Sequence, residues 1–155
     1  MIEIVKAAMS SAADALAALR QNETTLAAVA AAGEMLVRTF ETGKSVYSCG
    51  NVGSMCDAMH FAEELSGKFR RERKALPAMA ISDPAHLSCA ANDFGYDSVF
   101  ARFVEAHGRA GDVLLAISTS GNSPNILAAA TCARAAGMKV IALTGKAGCK
   151  LDALA

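Results

Sequence analysis

Short apolar runs and longer helical stretches alternate along the chain from residue 45 onward. Each apolar run is rich in Val, Ile, Leu or Ala, which is typical of a strand buried on both faces. The alternation predicts an α/β fold, a doubly wound parallel sheet with ligand sites beyond the carboxyl ends of its strands. The runs are "SVYSC" (45–49), "AMAIS" (78–82), "VLLAIS" (113–118) and "VIALT" (140–144), with helical patterns at 54–70, 97–107 and 123–136.

Residues 1–40 have a different pattern, rich in Ala and Leu and without Pro. It predicts two helices separated near "RQNETT", where Asn22 and Thr24 could cap the second helix. Because small Ala side chains allow close helix packing, we expect residues 1–40 either to have a structural role in helix packing or to form contacts between subunits. The whole chain, 1–155, is predicted to be a single domain with this N-terminal helical segment.

The composition narrows the class of protein. Of 155 residues, 53% are hydrophobic and 19% charged, which excludes a disordered chain. A net charge of zero and an aromatic share of 5% argue against nucleic-acid binding. No apolar run is long enough to span a membrane, and the N-terminus does not read as a signal peptide. Five cysteines without a CxxC pattern indicate free thiols and a cytoplasmic location.

Two loops that follow predicted strands carry small polar residues. The first, "CGNVGSMCDAMHFAEEL" (49–65), has Gly50 and Gly53 for a tight turn and Ser54 as a possible helix cap. The second, "STSGNSPN" (118–125), combines hydroxyls with a glycine at the start of a helix. Hydroxyls and free N–H groups at helix N-termini can bind a phosphate without Lys or Arg. The alternative for each loop is ordinary capping and turn chemistry.

The missing GxxxxGK[ST] pattern argues against a nucleotide P-loop, and the first loop is not GxGxxG. A small phosphorylated ligand therefore fits better than a dinucleotide. His60 and Glu64 are four residues apart on one helix face and could bind a divalent metal or pair a base with its orienting group. Asn92 and Asp93 could reach the same crevice. The alternative for His60 and Glu64 is an ordinary surface pair, and the alternative for Asn92 and Asp93 is a capping and turn segment.

Three of these motifs together resemble the sugar isomerase (SIS) domain family, and most closely its heptose-phosphate isomerases. The motifs are "DAMHFAEEL", "STSGNS" and "ANDFG", and the resemblance extends over essentially the whole chain. It implies a flavodoxin-like SIS fold and an aldose–ketose isomerisation. Sedoheptulose 7-phosphate would become D-glycero-D-manno-heptose 7-phosphate, an early step towards activated heptose for lipopolysaccharide core. It also implies a cytoplasmic homotetramer with shared active sites and one zinc ion per subunit.

The resemblance also implies roles for individual residues. Glu64 matches the catalytic carboxylate, and His60 and Glu64 match metal ligands. The substrate-binding positions correspond to two strand-end loops, one polar pair and Glu64. They are Asn51, Val52, Gly53, Ser54, Glu64, Asn92, Asp93, Ser118, Thr119, Ser120 and Ser123.

The chain departs from the family pattern at three places. Val52 stands where relatives have Gly, so a positive φ there would strain a β-branched residue. Lys68 stands where some relatives have Arg. The family continues with a strand and a helix that carry a Gln ligand and a catalytic His, and we expect these to lie outside the sequence given.

Two other functions remain open at this point. The chain could be a non-catalytic SIS module, such as an adaptor for a replication initiator, or a sensor of another sugar phosphate. Adaptor-type relatives tend to lose the carboxylate that Glu64 provides. Retention of His60 and Glu64 therefore favours the enzyme.

Overall fold

A four-stranded parallel sheet lies at the centre of the fold in this computed structural model, which describes residues 1–155. The chain divides into two units, Met1–Val37 and Arg38–Ala155, and the sheet belongs to the second. The helices are α1 (Ile2–Gln21), α2 (Glu23–Glu41), α3 (Gly53–Ser66), α4 (Pro84–Phe94), α5 (Val99–His107) and α6 (Pro124–Ala135). The strands are β1 (Val46–Gly50), β2 (Ala78–Ala80), β3 (Val113–Ser118) and β4 (Lys139–Thr144). The assignment of 1–155 to a single domain stays a prediction.

The N-terminal segment contains two helices, as its sequence pattern predicts. The side chain of Asn22 accepts a hydrogen bond of 3.0 Å from the Thr25 N–H, so Asn22 caps α2. No residue of α1 is buried. Large apolar side chains are exposed along both helices: Met1, Ile2, Ile4, Val5, Met9, Leu16, Leu19, Leu26, Val29 and Val37. None of the helices is both long and apolar enough to cross a membrane.

The sheet has the strand order β2-β1-β3-β4 and all pairs are parallel. Its register aligns Gly50 with Ile117, and Ser118 with Thr144. Because β1 and β3 are neighbours with aligned ends, the loops that follow them leave the sheet side by side. This order reverses direction between β1 and β3, where ligands bind in doubly wound sheets.

Helices cover both faces of the sheet. Alternate residues of β3 point to opposite sides. Leu114 and Ala116 join the larger core cluster with residues of α5 and α6, while Leu115 and Ile117 form a smaller cluster with Ala58 of α3. The predicted doubly wound fold is confirmed.

Helix α4 is missing from the sequence prediction, which gives no helix between residues 70 and 97 and leaves a turn segment as the alternative for Asn92 and Asp93. Asp83 caps α4 by accepting a 2.7 Å hydrogen bond from the His86 N–H, and Pro84 occupies its first turn. The helix ends at Phe94, where Gly95 adopts a φ of 82°. Asn92 and Asp93 therefore lie in the last turn of a helix and not in a loop.

Helix α3 ends at Ser66, four residues before its predicted end. Its last carbonyl groups are bound from outside the helix, because the Arg73 guanidinium donates to the carbonyl oxygens of Glu64 (2.6 Å) and Leu65 (2.8 Å). This contact folds the basic segment "GKFRRERK" back along the end of α3. All five cysteines are free.

Candidate active site

The loops after β1 and β3 enclose a pocket of about 190 Å³. Both loops begin where adjacent strands end, so their polar side chains converge across the sheet edge. The lining residues are Asn51, Ser54, Ile117, Ser118, Thr119, Ser120 and Ser123. Six of the predicted substrate-binding residues are thus brought together here, and no Lys or Arg lines the pocket.

The loop after β3 is held by its own hydrogen bonds. The Gly121 N–H donates to the Ser118 hydroxyl at 3.2 Å, and the hydroxyls of Ser118 and Ser123 lie 3.3 Å apart. The Asn122 N–H donates to the Ser120 hydroxyl at 3.2 Å. These bonds fix the hydroxyls around the pocket before any ligand arrives.

Gly121 is required at the tip of this loop for two reasons. Its φ of 63° lies in the left-handed region, and a Cβ there would clash with the side chain of Cys149. The segment around Cys149 packs closely against the loop, because the Leu151 N–H donates to the Gly121 carbonyl (3.1 Å) and the Lys150 N–H to the Asn122 side chain (3.1 Å).

Hydrogen-bond donors in and around the pocket are unused within the chain. The backbone N–H groups of Ser120 and Ser123 make no hydrogen bond to protein, and neither does the Ser54 hydroxyl. The expectation that Ser54 caps α3 is wrong, because the helix already begins at Gly53 and has no side-chain cap. Helices α3 and α6 both direct their N-termini towards this edge of the sheet. Free N–H groups, hydroxyls and two helix dipoles suit an anion.

Val52 and Gly53 border the pocket without lining it. Val52 has φ 53° and ψ −118°, and its side chain is 89% exposed. This backbone conformation favours glycine, so the strain anticipated for a β-branched residue at this position is present.

His60 and Glu64 lie farther along α3, at a second pocket of about 400 Å³. Their side chains approach to 3.2 Å between His60 Nε2 and Glu64 Oε1, and the Glu64 side chain is one-third exposed. Asp57, Phe61, Leu65 and Phe69 complete this pocket. Glu64 follows Ser54 by ten positions, which corresponds to roughly 15 Å along a helix. The carboxylate and the hydroxyl-lined pocket are therefore separate features of one chain.

The predicted polar pair of Asn92 and Asp93 is exposed and lines neither pocket. The Asn92 amide donates to Asp93 Oδ1 at 2.7 Å, so the two side chains bind each other. Their segment is still linked to the first loop, because the Tyr96 hydroxyl donates to Asn51 Oδ1 at 3.2 Å.

Two residues of the site are missed by the sequence reasoning. Asn125 is 2% exposed and exchanges two hydrogen bonds with Asn51, both of 2.9 Å. Tyr96 makes the third contact to Asn51. The available signal is weak: an Asn directly after a Pro at a helix start, and a Tyr beside a polar cluster.

Two ligands for a divalent metal are present in His60 and Glu64, but no group of three His, Cys, Asp or Glu side chains in the chain is arranged to hold a metal. A structural zinc ion takes four ligands and a catalytic one three. The imidazole and carboxylate suit zinc chemically, and they amount to an incomplete set.

Comparison with known proteins agrees with this architecture. The SIS domain model matches residues 9–145. The phosphoheptose isomerase of Yersinia pestis (strain Pestoides F) is 56% identical over 149 residues, 96% of this chain and 77% of that protein. The relative of that name from Klebsiella pneumoniae is 55% identical with the same coverage.

Solved structures show the same similarity. A phosphoheptose isomerase from Francisella tularensis superposes with a TM-score of 0.93 at 36% identity, covering 99% of this chain and 80% of that one. The enzyme of the same name from Neisseria gonorrhoeae gives 0.85 at 38% identity, with 97% and 79% covered. The match over most of the chain and relatives more than half identical show that this chain belongs to the SIS domain family.

Proposed function

We propose that the chain is a phosphoheptose isomerase that converts sedoheptulose 7-phosphate to D-glycero-D-manno-heptose 7-phosphate. The pocket between the loops after β1 and β3 carries this proposal, because it offers neutral donors to an anion at the ligand-binding edge of the sheet. The relatives named phosphoheptose isomerase support the choice of sugar.

The phosphate end of the substrate occupies the hydroxyl-lined pocket in this proposal. The hydroxyls of Ser54 and Thr119 and the N–H groups of Ser120 and Ser123 donate to phosphate oxygens. Because these groups are neutral, the negative charge is stabilised by aligned dipoles and not by ion pairs. A phosphate bound in this way also fixes the position of the sugar carbons that react.

The isomerisation transfers one proton between neighbouring carbons. A base removes a proton from C1 of the ketose to form an enediol, and the proton is returned to C2, while a hydroxyl proton moves from O1 to O2. Glu64 is the proposed base, since its carboxylate can take and return the proton. In the metal-free chain His60 Nε2, 3.2 Å from Glu64 Oε1, orients that carboxylate; with zinc bound, His60 would be a ligand instead.

We also propose that His60 and Glu64 hold a zinc ion together with ligands outside the chain described. When bound, zinc would polarise the substrate carbonyl.

We also propose that a second subunit of a homotetramer completes the active site. If its bonds extend as far as those of a polypeptide backbone, the seven-carbon chain of a heptose is roughly 7 Å long. The distance from Ser54 to Glu64 along α3 is roughly 15 Å, so one sugar cannot reach both within a single chain. The exposed apolar side chains of α1 and α2 support subunit contacts.

A cytoplasmic location is proposed because five free cysteines fit a reducing compartment. Supply of activated heptose for lipopolysaccharide core is the proposed pathway role.

The test is turnover of sedoheptulose 7-phosphate by the purified chain, followed by NMR, in the wild type, Glu64→Gln and Glu63→Gln. Gln at position 64 keeps the shape but removes the base, so we expect turnover to fall by about 10²- to 10⁴-fold while calorimetric binding persists. Glu63→Gln is the matched control: its exposed carboxylate lies 3.9 Å from His60 Nε2, so a loss of turnover confined to Glu64→Gln separates the base from the negative charge around His60. Wild-type chain that binds no heptose phosphate would refute the function, and an active Glu64→Gln variant would move the base elsewhere.

A further inference from the structure

We propose that Asn125 and Tyr96 are positioning residues that hold the Asn51 side chain, and with it the first loop, against the loop after β3. The inference rests on the proposed function for its kinetic readout. Neither residue belongs to the set that the family resemblance assigns. The two loops are 74 residues apart in sequence at this contact, so no local interaction could fix their spacing.

Asn51 and Asn125 form a reciprocal amide pair. Asn51 Nδ2 donates to Asn125 Oδ1 and Asn125 Nδ2 donates to Asn51 Oδ1, each at 2.9 Å. Asn125 is almost completely buried at the start of α6. Because a buried amide without a partner is unfavourable, this pair strongly prefers the geometry observed.

Tyr96 completes the hydrogen bonding of the Asn51 oxygen. An amide oxygen has two lone pairs, and those of Asn51 accept from Asn125 Nδ2 and from the Tyr96 hydroxyl (3.2 Å). An amide nitrogen has two hydrogens, of which Asn51 uses one. One N–H of Asn51 therefore remains for the pocket that it lines. Asn51 is preset as a donor of a single hydrogen bond, which selects an oxygen acceptor on the ligand.

This arrangement predicts an effect on binding and not on the proton transfer. Glu64 lies in the other pocket, so loss of the amide pair leaves the proposed base in place. Without Asn125, the Asn51 side chain can rotate and the first loop loses its anchor. We expect Asn125→Ala to raise KM for sedoheptulose 7-phosphate about tenfold, equivalent to about 1.4 kcal/mol, with kcat changed by less than about threefold.

A double-mutant cycle separates positioning from general stability. Asn51→Ala, Asn125→Ala and the double variant are compared in KM. If Asn125 acts through Asn51, the double variant should be no worse than Asn51→Ala alone. If the KM increases of the two single variants multiply in the double variant, Asn125 acts independently of Asn51, and the proposal is overturned.

Tyr96→Phe supplies a milder variant that removes one exposed hydroxyl and keeps the ring. Loss of a single hydrogen bond should raise KM about threefold. Tyr47→Phe is the matched control, because its hydroxyl contacts the His107 carbonyl at 3.5 Å, away from both pockets. An equal effect of the two Tyr→Phe changes would overturn the role of Tyr96.

Hydrogen exchange tests the proposal without reference to activity. The N–H groups of Ser54 and Met55 bond to the carbonyls of Asn51 and Val52 in the first turn after the loop. They should exchange faster in Asn125→Ala and Tyr96→Phe, while the Leu115 N–H in the core strand keeps its rate. Unchanged exchange at Ser54 and Met55 in both variants would overturn the proposal. If the wild-type chain has no isomerase activity while the two variants show these exchange changes, the proposed function alone is refuted.

Discussion

Replacement of Val52 by Gly should stabilise the protein, although it removes a side chain. Val52 has φ 53° and ψ −118°, a region that a β-branched residue enters only under strain. Such an outlier costs about 1–3 kcal/mol. Its side chain is 89% exposed, so truncation removes almost no buried apolar surface.

The opposing contribution comes from the unfolded chain. Glycine there has more backbone freedom, which costs about 0.5–1 kcal/mol on folding. The difference leaves a net gain of about 1 kcal/mol in the free energy of unfolding for Val52→Gly. Alanine keeps a Cβ, which at positive φ costs about 1–2 kcal/mol. We therefore expect Val52→Ala to stay close to the wild type.

Urea unfolding at one fixed protein concentration, followed by circular dichroism, measures both differences. Val29→Gly is the control for the unfolded-state contribution, because Val29 is exposed on a regular helix and its replacement by Gly should only destabilise. The reasoning is wrong if Val52→Gly destabilises the protein, or if Val52→Ala gains as much as Val52→Gly.

Three further outcomes are expected. Gly121→Ala should destabilise the protein by about 2–4 kcal/mol, since the new Cβ meets Cys149 at positive φ; near-wild-type urea unfolding would contradict the tight packing there. Ser120→Ala should weaken calorimetric binding of a phosphate ester, because the Ser120 hydroxyl lines the pocket and anchors the loop by accepting from the Asn122 N–H; unchanged affinity would leave only the Ser120 N–H as a contact to the ester. Burial raises the pKa of the Cys49 thiol to about 12, so brief iodoacetamide treatment at pH 8 should alkylate exposed Cys56 and leave Cys49 unmodified by mass spectrometry.

The strands were predictable because each is a short apolar run, although only β3 is buried throughout and the edge strands β2 and β4 expose Met79 and Leu143. The run at 113–118 is β3 with the same bounds. The run at 78–82 is shorter in the structure, since β2 ends at Ala80. Strand order was not predictable, because it depends on which strands meet across long crossovers and not on any one strand's pattern.

Helix α4 escaped prediction for a local reason. Asn and Asp are typical of turns, so the composition of residues 90–97, "AANDFGYD", favours a loop. The cap at Asp83 and Pro84 in the first turn are helix-start signals, and they lie some ten residues before the polar cluster. The start signals of α4 therefore outweigh the turn-forming composition of its end.

The candidate site likewise has one part that the sequence predicts and one part that it does not. Hydroxyl residues after β1 and β3 could be placed at one sheet edge, because parallel strands with aligned ends bring their loops together. The pairing of Asn51 with Asn125 could not be predicted, because an amide pair between distant segments leaves no periodic or spacing signal in the sequence. Whether Glu64 shares a site with the phosphate pocket depends on assembly, which one chain's sequence does not contain.

The short 3₁₀-helical turn at Lys150–Leu154 has a consequence for how ligand binding can be observed. Its backbone N–H groups at Lys150 and Leu151 bond to Asn122 and Gly121 of the loop after β3. Order in the loop and order in the turn are therefore thermodynamically linked, and linkage is reciprocal. In the proposed complex, a phosphate ester that further stabilises the loop should slow hydrogen exchange at Leu151, and a change that frays the turn should weaken the affinity for the ester. Hydrogen exchange at Leu151, which does not line the pocket, would then report whether the pocket is occupied.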